Sequence, residues 1–339
     1  MVNNSTSAKV ISNHVMQLVH TGLFLGEGGA QVFGNVLILA AIWRNKQLQR
    51  IEYINIAALA IADFICGLNQ LCNAPYRIYL ITTGQSSDRI DPKSCFYRPM
   101  IHFLILSGFI TPSVLLIVSV DRLIACTSIK LYSKITTKMN IIFVATAYIV
   151  GLALYLFCLF WVWAFPINSK FARKTCPMSF VTPMLVSQLY WWYQLVVTII
   201  SVGIYGLAYR NLNGGSSKDS QLSEVMKRNK DRQAAVTKTL AWVSLFSIIF
   251  FILPLCFLLI IITTRWPLMI QYGVGQYMFI IMNTNSLNNI FIYLKKNEAL
   301  RKGILGLFGY TTTSVGNSIT EKMTRKNTTK GMAQNQMTH

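Results

Sequence analysis

The feature that most constrains this chain is a series of seven apolar segments, at roughly 19–43, 54–81, 98–125, 140–165, 184–209, 239–263 and 268–293. Each reaches or exceeds the ~20 residues a helix needs to cross about 30 Å of hydrocarbon. Composition agrees: 53% of residues are hydrophobic, 12% are charged and the mean hydropathy is +0.45, too apolar and charge-poor for an ordinary soluble domain. Lipid cannot satisfy backbone polar groups, so the segments are expected to be helices and the chain an all-α membrane protein. The opening residues MVNNSTSAKV are polar and lack an apolar h-region, so no cleavable signal peptide is expected and the first span serves as its own signal. No fixed-period repeat occurs, and the only low-complexity stretches are NGGSSKDSQ at 213–221 and the tail beyond Tyr310.

The net charge of +20 invites a nucleic-acid reading, but its distribution opposes one. Of the 31 Lys and Arg, 22 fall in alternate loops and the carboxyl-terminal region, for example Arg44, Lys46 and Arg50, Lys130, Lys134 and Lys138, Lys227, Arg228, Lys230 and Arg232, and Lys295 and Lys296. The positive-inside rule then puts the amino terminus outside and the carboxyl terminus in the cytoplasm of a multi-pass plasma-membrane protein. The expected partner of the inner excess is the anionic lipid of that leaflet, and no nucleic acid is needed. Sequons at Asn3 and Asn4 lie on the outer side and are expected to carry glycans, whereas Asn327 lies inside.

Several polar residues interrupt the spans. SVDRLIAC at 119–126 sets Asp121 beside Arg122 in an apolar context, where each charge costs roughly 2.5–3.5 kcal/mol on insertion scales. Alone, that pair reads equally well as a topology anchor at a helix mouth. The first span adds GNVLIL with Asn35, the second LAIAD with Asp63, the sixth Pro254, and the seventh NSLNNIFIY with Asn285, Asn289 and Tyr293. In order and spacing these motifs resemble the rhodopsin-like (class A) G-protein-coupled receptors over about residues 20–308. The stretches CFYRPMIHF and ALAIADFICG are most similar to the nematode serpentine chemoreceptors of the Srsx type.

The resemblance implies a seven-transmembrane helix bundle with a short amphipathic eighth helix, coupled to a heterotrimeric G protein. Its switch would comprise Asp121, Arg122, Tyr205 and Tyr293. Asn35, Asp63, Thr111, Asn285 and Asn289 would form the polar cluster that holds an allosteric sodium ion in the family, Asp63 supplying the charge. A water-filled network without an ion is the alternative. Departures are equally specific: Ile290 replaces a usual Pro, Ile252 a usual Trp, Tyr148 a Trp and Leu123 a Tyr. The fifth span lacks a Pro near Val197, Pro112 lies inside the third, and Cys95 sits about two residues further from Arg122 than usual. Ala234 stands where many relatives carry an acidic partner for the Arg, with Asp231 the nearest substitute.

Of seven cysteines, only Cys95 and Cys176 fall in outer loops or at an outer helix end, so they are the expected disulfide in an oxidising compartment. The others read as packing residues. There is no CxxC, His cluster, catalytic triad or phosphate loop, and no enzyme is indicated. Leu104 and Asn283 stand where amine receptors carry an aspartate and opsins their retinal-bearing lysine. The candidate ligand pocket is therefore neutral and aromatic, with His102, Trp191, Tyr193, Gln194, Gln276 and Tyr277, suited to a small organic ligand or short peptide. YWWY at 190–193 reads equally well as an interfacial aromatic belt.

The expected division is an extracellular amino terminus at 1–18, a receptor domain at 19–293, the amphipathic helix at 294–309 and a disordered cytoplasmic tail at 310–339. The helix would lay Leu300, Ile304, Leu307 and Phe308 on the inner leaflet. Two other classes stay open: a seven-helix transporter or channel, disfavoured because only Asp63 and Glu27 are acidic within the spans, and a receptor-like scaffold that does not couple.

Overall fold

A computed structural model of the chain describes residues 4–132, 134–165, 172–176, 178–214, 224–264, 266 and 268–310. Long helices make up most of it: α1 (Asn4–Arg44), α2 (Ile51–Thr82), α3 (Pro99–Thr127), α4 (Thr137–Ala164), α5 (Met184–Gly214), α6 in two parts (Glu224–Ser247 and Leu253–Thr263), and α7 (Leu268–Lys296). A ten-residue helix, α8 (Glu298–Leu307), follows α7. Local chemistry sets many of the ends. Asn297 caps α8 by accepting from Leu300 N, Thr136 caps α4 by accepting from Met139 N, and Pro99 opens α3 where its missing N–H is no loss.

Six of these helices, among the described residues, are long and apolar enough to cross a membrane. The sequence leads one to expect seven. α7 is as long, but the run from Asn283 to Asn289 holds six Asn, Thr and Ser residues that lower its hydropathy. α1 also differs from expectation, because residues 4–18, assigned to a separate terminus, continue its helix.

α3 sits at the centre and packs against α2, α4, α5 and α6, while α1 rests on α2, α7 and α8. Two close approaches depend on glycine. A Cβ at Gly108 of α3 would overlap the Tyr190 ring of α5, and one at Gly34 of α1 would come within 2.6 Å of Ile290. Ile290, which stands in place of a Pro, therefore keeps α7 regular and fills the groove that Gly34 leaves. α4 exposes Ile141, Ile142, Phe143, Ile149, Phe160 and Trp163, an apolar face that belongs against lipid.

One short ladder accompanies the helices among the described residues. Arg89–Ile90 pairs antiparallel with Ala172–Arg173, a small ladder that precedes the Cys95–Cys176 disulfide, whose Cα atoms are 5.5 Å apart. Cys95 lies on a separate short helix, Pro92–Phe96, before the chain turns into α3; that extra turn accounts for its unusual distance from Arg122.

The apolar face of α8 also differs from expectation. Leu300 and Ile304 are buried in the same core cluster as Ala41, Ile42 and Leu48, and only Phe308 stands well exposed. This face is therefore satisfied mainly by protein.

Candidate functional site

The 3.6-residue helical period resolves the YWWY stretch of α5, because consecutive residues face different surroundings. Tyr190 is buried and donates to Leu104 O at 3.0 Å, Trp191 lines a cavity, Trp192 is 48% exposed, and Tyr193 lies 2.6 Å from Ser113 Oγ. Trp192 thus suits a belt, Tyr190 and Trp191 form pocket wall, and Tyr193 packs against α3.

The cavity lies between α2, α3, α5, α6 and α7. Apolar walls come from Leu104, Leu115, Phe251, Phe279 and Met282. Among the described residues, Asn69 Oδ1, Gln194 Nε2 and Asn283 Nδ2 are buried without a hydrogen-bond partner, and all three residues line this cavity. Unsatisfied buried polar atoms are rare and costly, so three around one space mark it as a place for polar ligand atoms. Of the expected pocket residues only Trp191 and Gln194 line it. His102 instead lies 3.1 Å from the Tyr155 hydroxyl and packs edge-on to Phe96. Gln276 lines a second cavity, and Tyr277 is 44% exposed, edge-on to His20.

Below the cavity lies the polar cluster. Asp63, only 2% exposed, accepts from Ser286 Oγ at 2.8 Å and from Asn289 Nδ2 at 3.0 Å. Asn289 Oδ1 is left without a partner among the described residues. One carboxylate with a hydroxyl and a free amide oxygen is a donor set that fits a hard cation. The other expected members lie at its margins. Asn35 donates to Gln31 O at 2.8 Å, Asn285 Oδ1 accepts from Ser247 Oγ at 3.2 Å, and Thr111 lines the cavity. Ser286 was missed because a serine next to an expected Asn gives no signal until the helix phase is known. Ser247 immediately precedes a π-helical stretch, Ile248–Ile252, followed by Pro254. Such a stretch inside an α-helix often marks a functional site; here it carries Phe251 into the cavity and Ile252 where a Trp was expected.

At the opposite end of the bundle from the disulfide, Arg122 is fully buried and Asp121 is 5% exposed. The sequence suggests a pair at a helix mouth, half in water; the structure corrects this. Arg122 Nε donates to Asp121 Oδ2 at 2.9 Å, and Nη2 bonds the same oxygen. Asn55 Nδ2 donates to that oxygen at 2.7 Å, and Asn140 Nδ2 in turn donates to Asn55 Oδ1 at 3.1 Å. Arg122 Nη2 also donates to the Tyr132 hydroxyl at 3.0 Å. Burial pushes the Tyr132 hydroxyl up to about 12, with the Arg122 charge acting against it, so it stays protonated at neutral pH. α2, α3, α4 and the segment between α3 and α4 thus meet around one ion pair. Asn55 was legible in principle, since an amide in an apolar span must find a partner; Tyr132 was not.

Tyr205 and Tyr293 are buried close by, and neither hydroxyl has a partner among the described residues. On the α6 side, Thr237 Oγ1 lies 3.6 Å from Cys126 Sγ, one turn beyond Arg122. The side chains of Asn4 and Asp231 and all of Asn3 lie outside the described residues, as does the tail after Tyr310.

Comparison with known proteins gives this arrangement a family. The chain is 23% identical over 284 residues to human (Homo sapiens) sphingosine 1-phosphate receptor 2, covering 81% of this chain and 72% of that protein. It is 23% identical over 120 residues to Danio rerio sphingosine 1-phosphate receptor 1, covering 35% of this chain and 31% of that one. The model of the family described as "Serpentine type 7TM GPCR chemoreceptor Srsx" matches residues 30–308. With most of its length matched, and with six membrane-competent helices and a buried Asp-Arg pair among the described residues, the chain belongs to that family of seven-transmembrane receptors, and membership implies a receptor rather than an enzyme.

Proposed function

We propose that this chain is a plasma-membrane chemoreceptor, amino terminus outside, whose seven helices all cross the bilayer and whose α8 borders the inner leaflet. An extracellular small organic ligand or short peptide enters the cavity between α2, α3, α5, α6 and α7. There it meets Asn69, Gln194 and Asn283 and presses on Phe251. The π stretch just before Pro254 gives α6 a flexible point, and its movement opens the cytoplasmic face around Arg122 to a heterotrimeric G protein. Tyr205 and Tyr293, with hydroxyls free among the described residues, offer Arg122 new partners once it leaves Asp121.

The observation that carries this reading is the burial of Asp121–Arg122 under Asn55, Asn140 and Tyr132. A topology anchor at a membrane face would keep its guanidinium in water; a pair sealed inside the bundle and held by three helices suits a two-state element. Asp63 with Ser286 and Asn289 would hold sodium in the inactive state, supplying a fixed positive charge there. The purified receptor, reconstituted with a panel of G proteins, should accelerate nucleotide exchange, and Arg122→Ala should lose that activity. Ion flux through the same protein in liposomes, without exchange on any G protein, would replace this reading with a channel or transporter.

A further inference from the structure

The inner cavity, the one between α2, α3, α5, α6 and α7, has no Asp, Glu, Lys, Arg or His among its lining residues. A charged ligand group taken into it would lose its water without meeting a counter-charge, which is strongly unfavourable. Asp63, below the cavity, already accepts from Ser286 Oγ and Asn289 Nδ2. What the walls offer instead, besides Gln194 on α5, is one unpaired acceptor and one unpaired donor. Asn69 Oδ1 on α2 and Asn283 Nδ2 on α7 have no hydrogen-bond partner among the described residues, and the two residues are 2% and 7% exposed.

Neighbouring contacts fix what these two asparagines present. Cys66 Sγ donates to Asn283 Oδ1 at 3.6 Å, which occupies the oxygen end of that amide and leaves its Nδ2 donor for a ligand. Gln31 Nε2 donates to Asn283 O at 2.8 Å and holds the α7 backbone at this level. Cys66 and Asn69 lie three residues apart on α2, so they share a helix face. The thiol that touches Asn283 thus sits about one turn from Asn69, and acceptor and donor stand on the same α2–α7 wall. Much of the remaining boundary is apolar, with Leu104, Leu115, Trp191, Phe251 and Met282.

We propose that the inner cavity takes an uncharged ligand by a primary carboxamide or lactam, whose N–H donates to Asn69 Oδ1 and whose C=O accepts from Asn283 Nδ2, its apolar body lying against Trp191 and Phe251. Such groups carry N–H and C=O on one edge, as a single wall requires, whereas a trans peptide bond aims them in opposite directions. A carboxylate brings only acceptors to this wall and an ammonium only donors, so each would leave one asparagine unpaired. The same chemistry comes from a small organic amide or from the amidated end of a short peptide. The assignment rests on reading the chain as a receptor whose ligand enters this cavity, but it concerns binding and is measured without a G protein.

The test uses full-length receptor in neutral detergent, with thermal stability followed against hydrocinnamamide, its N,N-dimethyl derivative, hydrocinnamate, phenylpropylamine and hydrocinnamyl alcohol, and against N-acetylphenylalaninamide and N-acetylphenylalanine. Hydrocinnamamide should stabilise the protein at roughly tenfold lower concentration than the acid, the amine, the alcohol or the dimethyl amide, the scale of one buried hydrogen bond left unmade. Asn69→Leu should erase the advantage of the primary over the dimethyl amide, because only the primary amide has an N–H to give. Asn283→Asp, which exchanges the donor for a carboxylate, should reverse the preference from amide to amine, a gain that misfolding does not produce. Met282→Trp should abolish the effect of every probe. Stabilisation by N-acetylphenylalaninamide with the same Asn69 dependence would identify a peptide's amidated end as a fitting source; its failure beside hydrocinnamamide would restrict the site to small amides. Acid, amine or alcohol matching the amide, an amide effect unchanged in Asn69→Leu and Asn283→Asp, one that survives in Met282→Trp, or no stabilisation by any probe would each overturn the proposal. A receptor that passes this test yet activates no G protein would leave the amide site standing and remove the coupling mechanism; activation by a charged ligand through the same cavity would do the reverse.

Discussion

Asn55 of α2 and Arg122 of α3 bind the same carboxylate oxygen, Asp121 Oδ2, at 2.7 and 2.9 Å. The carboxylate is thus held by an amide as well as by its charge partner, and neither stands in water. Removing the amide weakens the restraint on the ion pair without altering either charge. A hydrogen bond to a charged group contributes about 1.5–3 kcal/mol, and ~1.4 kcal/mol is tenfold in a population ratio. Asn55→Ala should therefore raise ligand-free nucleotide exchange roughly tenfold at matched surface expression. An unchanged basal rate would show that the buried cluster is only structural.

Asp121→Asn removes one charge of a fully buried pair, and the remaining Arg122 must find other partners. Breaking such a pair costs about 3–5 kcal/mol where nothing replaces it, so this variant should show higher basal exchange than Asn55→Ala and a lower melting temperature. The two effects should not add in the double variant, because both act through one oxygen. Strict additivity in a double-mutant cycle would contradict the shared-oxygen geometry.

Sodium sensitivity should follow direct contact with Asp63 and not membership of the wider polar set. Asp63→Asn should abolish any sodium dependence of ligand affinity, and Ser286→Ala should reduce it. Asn35→Ala, whose amide donates to Gln31 O, should leave it intact. Ligand competition at several sodium concentrations, with potassium holding ionic strength constant, separates these outcomes.

The inner cavity predicts which side chains a ligand feels. Gln194→Ala should lower agonist potency roughly tenfold, the scale of one lost buried hydrogen bond, and Met282→Trp should block binding by filling the space. Tyr277→Ala should leave the inner cavity unchanged, since Tyr277 is not among its lining residues. Phe251→Ala should reduce maximal response more than potency. Dose–response curves from a G-protein dissociation assay read all four.

The disulfide closes a sequence separation of 81 residues, which in the chain-entropy account corresponds to about 4–5 kcal/mol of stabilisation. Cys176→Ser should remove most receptor from the cell surface, and the Cys95→Ser, Cys176→Ser double variant should fare no worse than either single one. Peptide mapping under non-reducing conditions that recovers both residues as free thiols in the parent protein would refute the bond.

The sequence by itself determined the membrane class, the approximate spans, the disulfide and the identity of Asp63, Asp121 and Arg122. Those properties are local: apolar run length, the sign of charge between runs, and the rarity of ionisable groups in hydrocarbon each leave a mark readable without any contact. What the tertiary structure decided is who meets whom. Asn55, Tyr132 and Asn140 come from three elements and meet at Asp121–Arg122 only when α2, α3 and α4 pack. Ser286, not its neighbour Asn285, bonds to Asp63 because the rotation of α7 about its axis selects one of several adjacent polar residues. The YWWY stretch divided among core, cavity and exposed face for the same reason. Composition specifies that a helix is buried in a membrane, but its rotation is set by side-chain packing against neighbours distant in the chain, and every site here depends on that rotation.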